Sequence, residues 1–148
     1  MFRGRYSHSI DPKGRLSIPA KFREVLKTGY GGRLVVVPDE HCLEVYPLEE
    51  WEQRIEAKMR DLPVFNPEAK MFGRLYVSKA KDADLDAQGR ILLPPDLRAE
   101  AALAKEVTFV GGGRTHFEIW DRQRFEEFQR VHQDEFPTVS QKLADLGV

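Results

Sequence analysis

A mainly β fold with peripheral helices is predicted by three features of this sequence: a duplicated unit, short alternating apolar runs closed by turn residues, and brief amphipathic stretches that follow them. DPKGRLSIPAKFREVL at 11–26 and DAQGRILLPPDLRAEA at 86–101 share Asp, Gly, Arg, Pro and Arg at an offset of 75, with apolar residues matched at 16/91, 18/93 and 22/97. LEVYPLEEWEQ at 43–53 and FEIWDRQRFEE at 117–127 repeat at an offset of 74. Short alternating strings resemble one another by chance, but D-x-x-G-R-apolar-x-apolar-P-x-x-apolar-R occurring twice is too long for that account.

Each half follows one order of elements. Residues 6–10 form a strand that enters Asp11-Pro-Lys-Gly14, where proline presets φ and glycine tolerates φ > 0, and 15–18 alternate as the next strand. Residues 83–85, 86–89 and 90–93 repeat this. Pro19 and Pro95 stand at first-turn helix positions, where a missing N–H costs nothing, and Phe22/Leu26 and Leu97/Ala101 supply apolar faces. Residues 33–37 and 42–46 then make a hairpin around 38–41, mirrored by 106–110, a Gly111-Gly112-Gly113 turn and 115–120. A helix follows each hairpin: Leu48, Trp51, Ile55 and Met59 share one face, and Phe125, Phe128 and His132 another. Residues 69–77 fit helix or strand equally.

Half-units of this size expose too much edge and core to stand apart, so 1–148 reads as a single pseudo-symmetric domain. Its first repeat covers about 1–62, a proline-bearing connector about 63–70, the second repeat about 71–136, and 137–148 form a C-terminal tail.

The net charge of −1 argues against a protein that coats nucleic acid indiscriminately, yet the charge is segregated. Residues 1–27 carry a local +5, 28–69 a local −5, 70–99 return to +2 and 100–148 fall to −3. Arg3, Lys13, Arg15, Lys21 and Arg23 therefore become candidate DNA-contacting residues, since arginine can reach a phosphate or a guanine edge bidentately. Asp11 and Asp86 read as turn clamps, each four residues before an arginine, with Arg90 clamping the second turn.

Other classes lack support. No apolar run approaches the roughly 20 residues a bilayer demands, and the N-terminus has no signal-peptide stretch, so a cytoplasmic protein is expected. One cysteine, Cys42, closes no intrachain disulfide, and the four histidines lack zinc-ligand spacing. There is no G-x-S-x-G elbow, and Gly111–Gly113 lacks the lysine of a P-loop. No catalytic residue, metal, cofactor or small-molecule substrate is expected.

The paired D-P-K-G-R and D-A-Q-G-R motifs, with the opening MFRGRYSHSIDPKGRLSIPAKFRE and the central NPEAKMFGRLYVSKA, resemble the MraZ family over nearly the whole chain. The resemblance implies a duplicated swapped-hairpin AbrB-like β-barrel formed within one chain. It also implies a nucleoid-associated regulator of the division and cell wall gene cluster, including its own operon, that assembles into rings and binds short direct repeats in double-stranded DNA. Its twin motifs fall on Asp11 with Arg15 and Asp86 with Arg90, and its basic face on Arg3, Lys13, Lys21 and Arg23. The second copy has Gln88 and Asp96 where the first has Lys13 and Lys21, so the first carries the stronger DNA-binding expectation. The expected function is thus a sequence-specific transcriptional regulator, a repressor; the alternative is a protein-interaction scaffold docking another cytosolic protein through acidic helices.

Overall fold

The computed structural model describes residues 1–148 and has a mixed α+β architecture. The first half contributes β1 (Phe2–Ser9), β2 (Arg15–Ser17), α1 (Ala20–Gly29), β3 (Leu34–Pro38) and β4 (Leu43–Pro47). A continuous helical stretch follows: α2 (Leu48–Trp51), a π turn (Glu52–Glu56) and α3 (Ala57–Arg60). The ambiguous segment is helical, as α4 (Pro67–Leu75), with Pro67 at the first turn and the Asn66 side chain accepting from Ala69 N at 3.0 Å. The second half gives β5 (Lys81–Asp82), β6 (Arg90–Leu92), α5 (Pro95–Glu100), β7 (Glu106–Arg114), β8 (Phe117–Asp121) and α6 (Arg122–His132). Part of the expected tail is a further helix, α7 (Phe136–Ala144). No helix is long and apolar enough to cross a membrane.

Strands of the two halves interleave. The six-stranded antiparallel sheet has the order β1-β7-β8-β4-β3-β5, and β2 pairs with β6 in a separate ribbon. Exchanging each strand for its repeat counterpart reverses that order onto itself. Glu44 pairs with its own counterpart Glu118, and Leu16 with its counterpart Ile91, so a pseudo-twofold axis passes through both ladders. The turns are exchanged as well: Leu93 N donates to Gly14 O at 2.9 Å and Ile18 N donates to Gly89 O at 3.0 Å. Neither half completes its backbone hydrogen bonding alone.

One core joins the layers. Phe22 of α1 packs on Phe2, Phe109 and Phe117, with ring centroids 5.3, 6.3 and 4.8 Å away, and Leu16, Ile91 and Leu97 belong to the same cluster. The ribbon therefore packs its Leu16–Ile91 pair inward, and α1 and α5 stand on the same core as the sheet.

Three expectations are corrected. The sheet does not close into a barrel, because β1 and the two-residue β5 remain its edges. Residues 83–85 form no regular strand, although Ala83 N and Leu85 N still donate to Leu34 O and Gly32 O at 2.9 Å. Gly111–Gly113 is no turn but the end of β7, paired with β1, and the chain reverses at Thr115–His116. Gly111 answers a packing need, since a Cβ there would stand 2.6 Å from Arg3 N beside the register shift at Phe2/Arg3, whereas Gly113 adopts φ 77°.

Gly111→Ala should therefore destabilise the fold by about 1–3 kcal/mol, since backbone must move to admit the methyl. Gly112→Ala should be close to neutral, because nothing lies within 4 Å of its added Cβ. Urea denaturation of both variants checks the contrast.

Candidate nucleic-acid interface

The two D-x-x-x-R motifs build the same turn twice. Asp11 Oδ1 accepts from Lys13 N at 2.9 Å and Arg15 N at 2.8 Å, and Oδ2 accepts from Arg15 Nε at 2.7 Å. Asp86 accepts from Gln88 N, Arg90 N and Arg90 Nε, each at 2.9 Å. Gly14 and Gly89 close the turns at φ 84° and 76°, the left-handed conformation that favours glycine. The backbone N–H of Arg15, and of Arg90 in the second turn, does most to hold each aspartate below the ordinary 3.8, with the guanidinium adding to it.

The clamp uses one edge of each guanidinium. Arg15 gives only Nε to Asp11, leaving its two terminal nitrogens without a protein acceptor. Arg90 likewise gives Nε to Asp86, with one terminal nitrogen at a long 3.4 Å from Gln88 Oε1. Turn clamping and ligand contact are thus compatible in one side chain, because guanidinium offers five donors.

The ribbon brings the motifs together. Arg15 pairs with Leu92 and Ser17 with Arg90, flanking the central Leu16–Ile91 pair. Leu16 and Ile91 are buried, so strand alternation sends Arg15, Ser17, Arg90 and Leu92 to the outer face. Arg15 and Arg90 lie diagonally across one surface although 75 residues separate them in sequence. Leu92 is 57% exposed there, an apolar group that the sequence reading did not single out; its signal was an apolar residue at the outward position of a three-residue strand.

The basic residues divide between two places. Arg23, expected beside the first motif, reaches across to the second: its Nη1 donates to Gln88 O at 3.4 Å, and a Cβ on Gly89 would stand 2.5 Å from its Cδ. Its repeat counterpart Arg98 makes the reciprocal crossing, with Nε donating to Leu93 O at 3.1 Å and Nη2 3.5 Å from the Cβ position of Gly14. Lys13 is exposed in the first turn. Arg3 and Lys21 instead line a depression of about 860 Å³ with Tyr6, Phe22 and Gly113, which none of the motif residues enters. Lys21 is 3.8 Å from Glu24.

Elsewhere, Asp39, Cys42 and Glu118 come within 4.8 Å of one another at the base of a groove beside α6, an arrangement invisible in the spacing of one cysteine and scattered acids. Burial, then the charges of Glu118, Asp39 and Glu44, push the Cys42 thiol up, so it stays protonated, the wrong form for a metal ligand.

Asp11 and Asp86 should titrate below 3.8 in the folded protein. Because their folded-state values are depressed, the turn stabilisation is present above the unfolded value and is lost as pH falls through the folded one. Arg15→Gln should move Asp11 part of the way back while leaving Asp86 unchanged, as side-chain carboxyl NMR titration would record.

Comparison with known proteins agrees with this duplication. The family model described as "MraZ protein, putative antitoxin-like" matches residues 1–75 and again 77–146. A protein of Moorella thermoacetica named "Transcriptional regulator MraZ" is 44% identical over the full length of both chains. One of the same name from Syntrophobacter fumaroxidans is 42% identical over 99% of this chain and 97% of its own. Another from Acidithiobacillus ferrooxidans is 46% identical over 88% of this chain and 89% of its own. With twin motifs, interleaved halves and full-length relatives all in agreement, this chain belongs to the MraZ family.

Proposed function

We propose that this protein is a sequence-specific DNA-binding transcriptional regulator, a repressor of the division and cell wall gene cluster including its own operon. Its recognition surface is the outer face of the β2·β6 ribbon together with the two clamped turns. The observation that carries the reading is the ladder that sets Arg15 and Arg90 on one outward face, each with terminal nitrogens left over from its clamp. Relatives named as transcriptional regulators support the same class.

The chemistry suits a DNA groove. A two-stranded ribbon fits the major groove, guanidinium edges can address guanine O6 and N7 or phosphate oxygens, and an exposed leucine can meet a thymine methyl. Lys13 and Arg23 flank the ribbon as phosphate contacts, while Arg3 and Lys21 form a separate basic margin. Both arginines share their charge with an aspartate, so one subunit makes a weak module. A ring that repeats the face would engage tandem direct repeats, raising avidity by about 10²–10⁴-fold without a new contact. This assigns the protein to the nucleoid in the cytoplasm.

A gel shift against operator and scrambled duplexes, with competitor DNA, tests the reading. Specific binding should weaken steeply with salt as counterions leave the phosphates. Arg15→Ala should weaken specific binding by about 1–3 kcal/mol if it reads a base, with the fold retained. Arg90→Ala should weaken it in the same direction, and less, because Gln88 replaces the lysine of the first turn. Equal affinity for scrambled DNA, or salt-independent binding, overturns the proposal.

A further inference from the structure

The pseudo-twofold through the Leu16–Ile91 pair exchanges the two ends of the ribbon's outer face, and the exchange is imperfect. Arg15 maps onto Arg90, so the guanidiniums alone form a symmetric pair. Ser17 maps onto Leu92 and Lys13 onto Gln88, at the same offset of 75. One end of the face therefore carries Arg15 opposite Leu92, and the other carries Arg90 opposite Ser17. A face with true twofold symmetry reads a site and its reversal alike, which is why twofold proteins meet palindromic operators. This face has a direction built into it.

Leu92 makes the largest of these differences. Its neighbours Ile91 and Leu93 are buried, while Leu92 itself stands out on the arginine face. Leu92 Cδ1 lies 3.6 Å from where a Cβ on Gly14 would stand, which lays the side chain against the first turn, beside Arg15. At the second turn, a Cβ on Gly89 would meet Arg23 Cδ and Nη1 at 2.5 Å, so a charged side chain lies there. Arg15 across the ladder and Arg90 two residues back along β6 flank Leu92 with guanidiniums. An apolar protein surface laid on Leu92 would strip both guanidiniums of water without replacing the lost hydrogen bonds. The major-groove edge of DNA offers acceptors to arginine and a methyl group to leucine side by side.

We propose that Leu92 is a specificity-determining residue: it reads the C5-methyl group of a thymine beside the guanine that Arg15 addresses, and with serine at the related position it fixes which way round the protein lies on each site. Directly opposed strand residues have Cα atoms about 5 Å apart, one to two base steps of about 3.4 Å, which sets the thymine beside the guanine. At the other end Ser17 offers a hydroxyl that can both donate and accept, so it discriminates poorly between bases. This assignment rests on the ribbon being the DNA-reading face of the proposed function, and it adds the direction of reading.

Selection of binding sites from a randomised duplex pool tests it. The wild type should select an asymmetric motif that holds a guanine with a thymine on one side. Leu92→Ser should keep the guanine and lose the thymine, and Ser17→Leu should add a second thymine at the symmetry-related position; circular dichroism checks that both variants fold. In the selected duplex, replacing that thymine by deoxyuridine removes only the methyl group. It should weaken wild-type binding about 4-fold per site engaged and leave Leu92→Ser unaffected. The wild-type half of that comparison stands whether or not either variant folds. A wild type that selects no motif, or a motif that survives Arg15→Ala unchanged, would overturn the ribbon as the reading face and the role of Leu92 with it. A motif lost with Arg15→Ala that lacks the thymine, keeps it in Leu92→Ser, or binds equally with deoxyuridine would overturn the role of Leu92 alone and leave DNA recognition standing.

Discussion

Leu16 facing Ile91 across the pseudo-twofold is the contact on which the rest of the molecule depends. Two three-residue strands, each too short to persist alone, are joined at their buried centres, and each turn is tied to the opposite half through the carbonyls of Gly14 and Gly89. Burial of the central pair decides which residues face outward. It sets Arg15, Ser17, Arg90 and Leu92 on the free side, so the candidate recognition face follows from packing a core. The aspartate clamps then fix the arginines at their base through Nε and leave the distal edges available.

Core and surface have diverged to different degrees between the halves. The core keeps its symmetry, with Leu16 answered by Ile91 and Phe22 by Leu97, because interlocking strands penalise a change of volume on either side. Outside, the axis meets like charges, Glu44 opposite Glu118, and the halves resolve the conflict differently. Glu44, whose carboxyl burial pushes up, takes the hydroxyl of Tyr76, whereas Glu118 takes the indole N–H of Trp120. Both aromatic clusters stay buried, one beneath Tyr76 and the other beneath His41 and Phe128.

Much of this was legible in the sequence. Repeat spacing located the turns at 11–14 and 86–89, the short strands after them, the proline-started helices and the aromatic helical faces, because each rests on local chemistry. Register was not legible. Nothing local shows that β2 pairs with β6, that Arg23 crosses to the turn at Gly89, or that β1 and β5 stay open edges, since these depend on contacts between the two halves. The three glycines at 111–113 misled for a related reason. A turn and a close backbone approach both select glycine, and only the position of β1 shows that Gly111 meets the second demand.

Amide hydrogen exchange with and without operator duplex tests the central claim most directly: recognition uses one surface built from both halves. The account predicts that binding slows exchange at Arg15–Ser17 and Arg90–Leu92 together, along with the turn amides at 13 and 88, in a single transition as DNA is added. Protection confined to one strand of the ribbon, or found only around Arg3 and Lys21 while the ribbon exchanges as before, would contradict it.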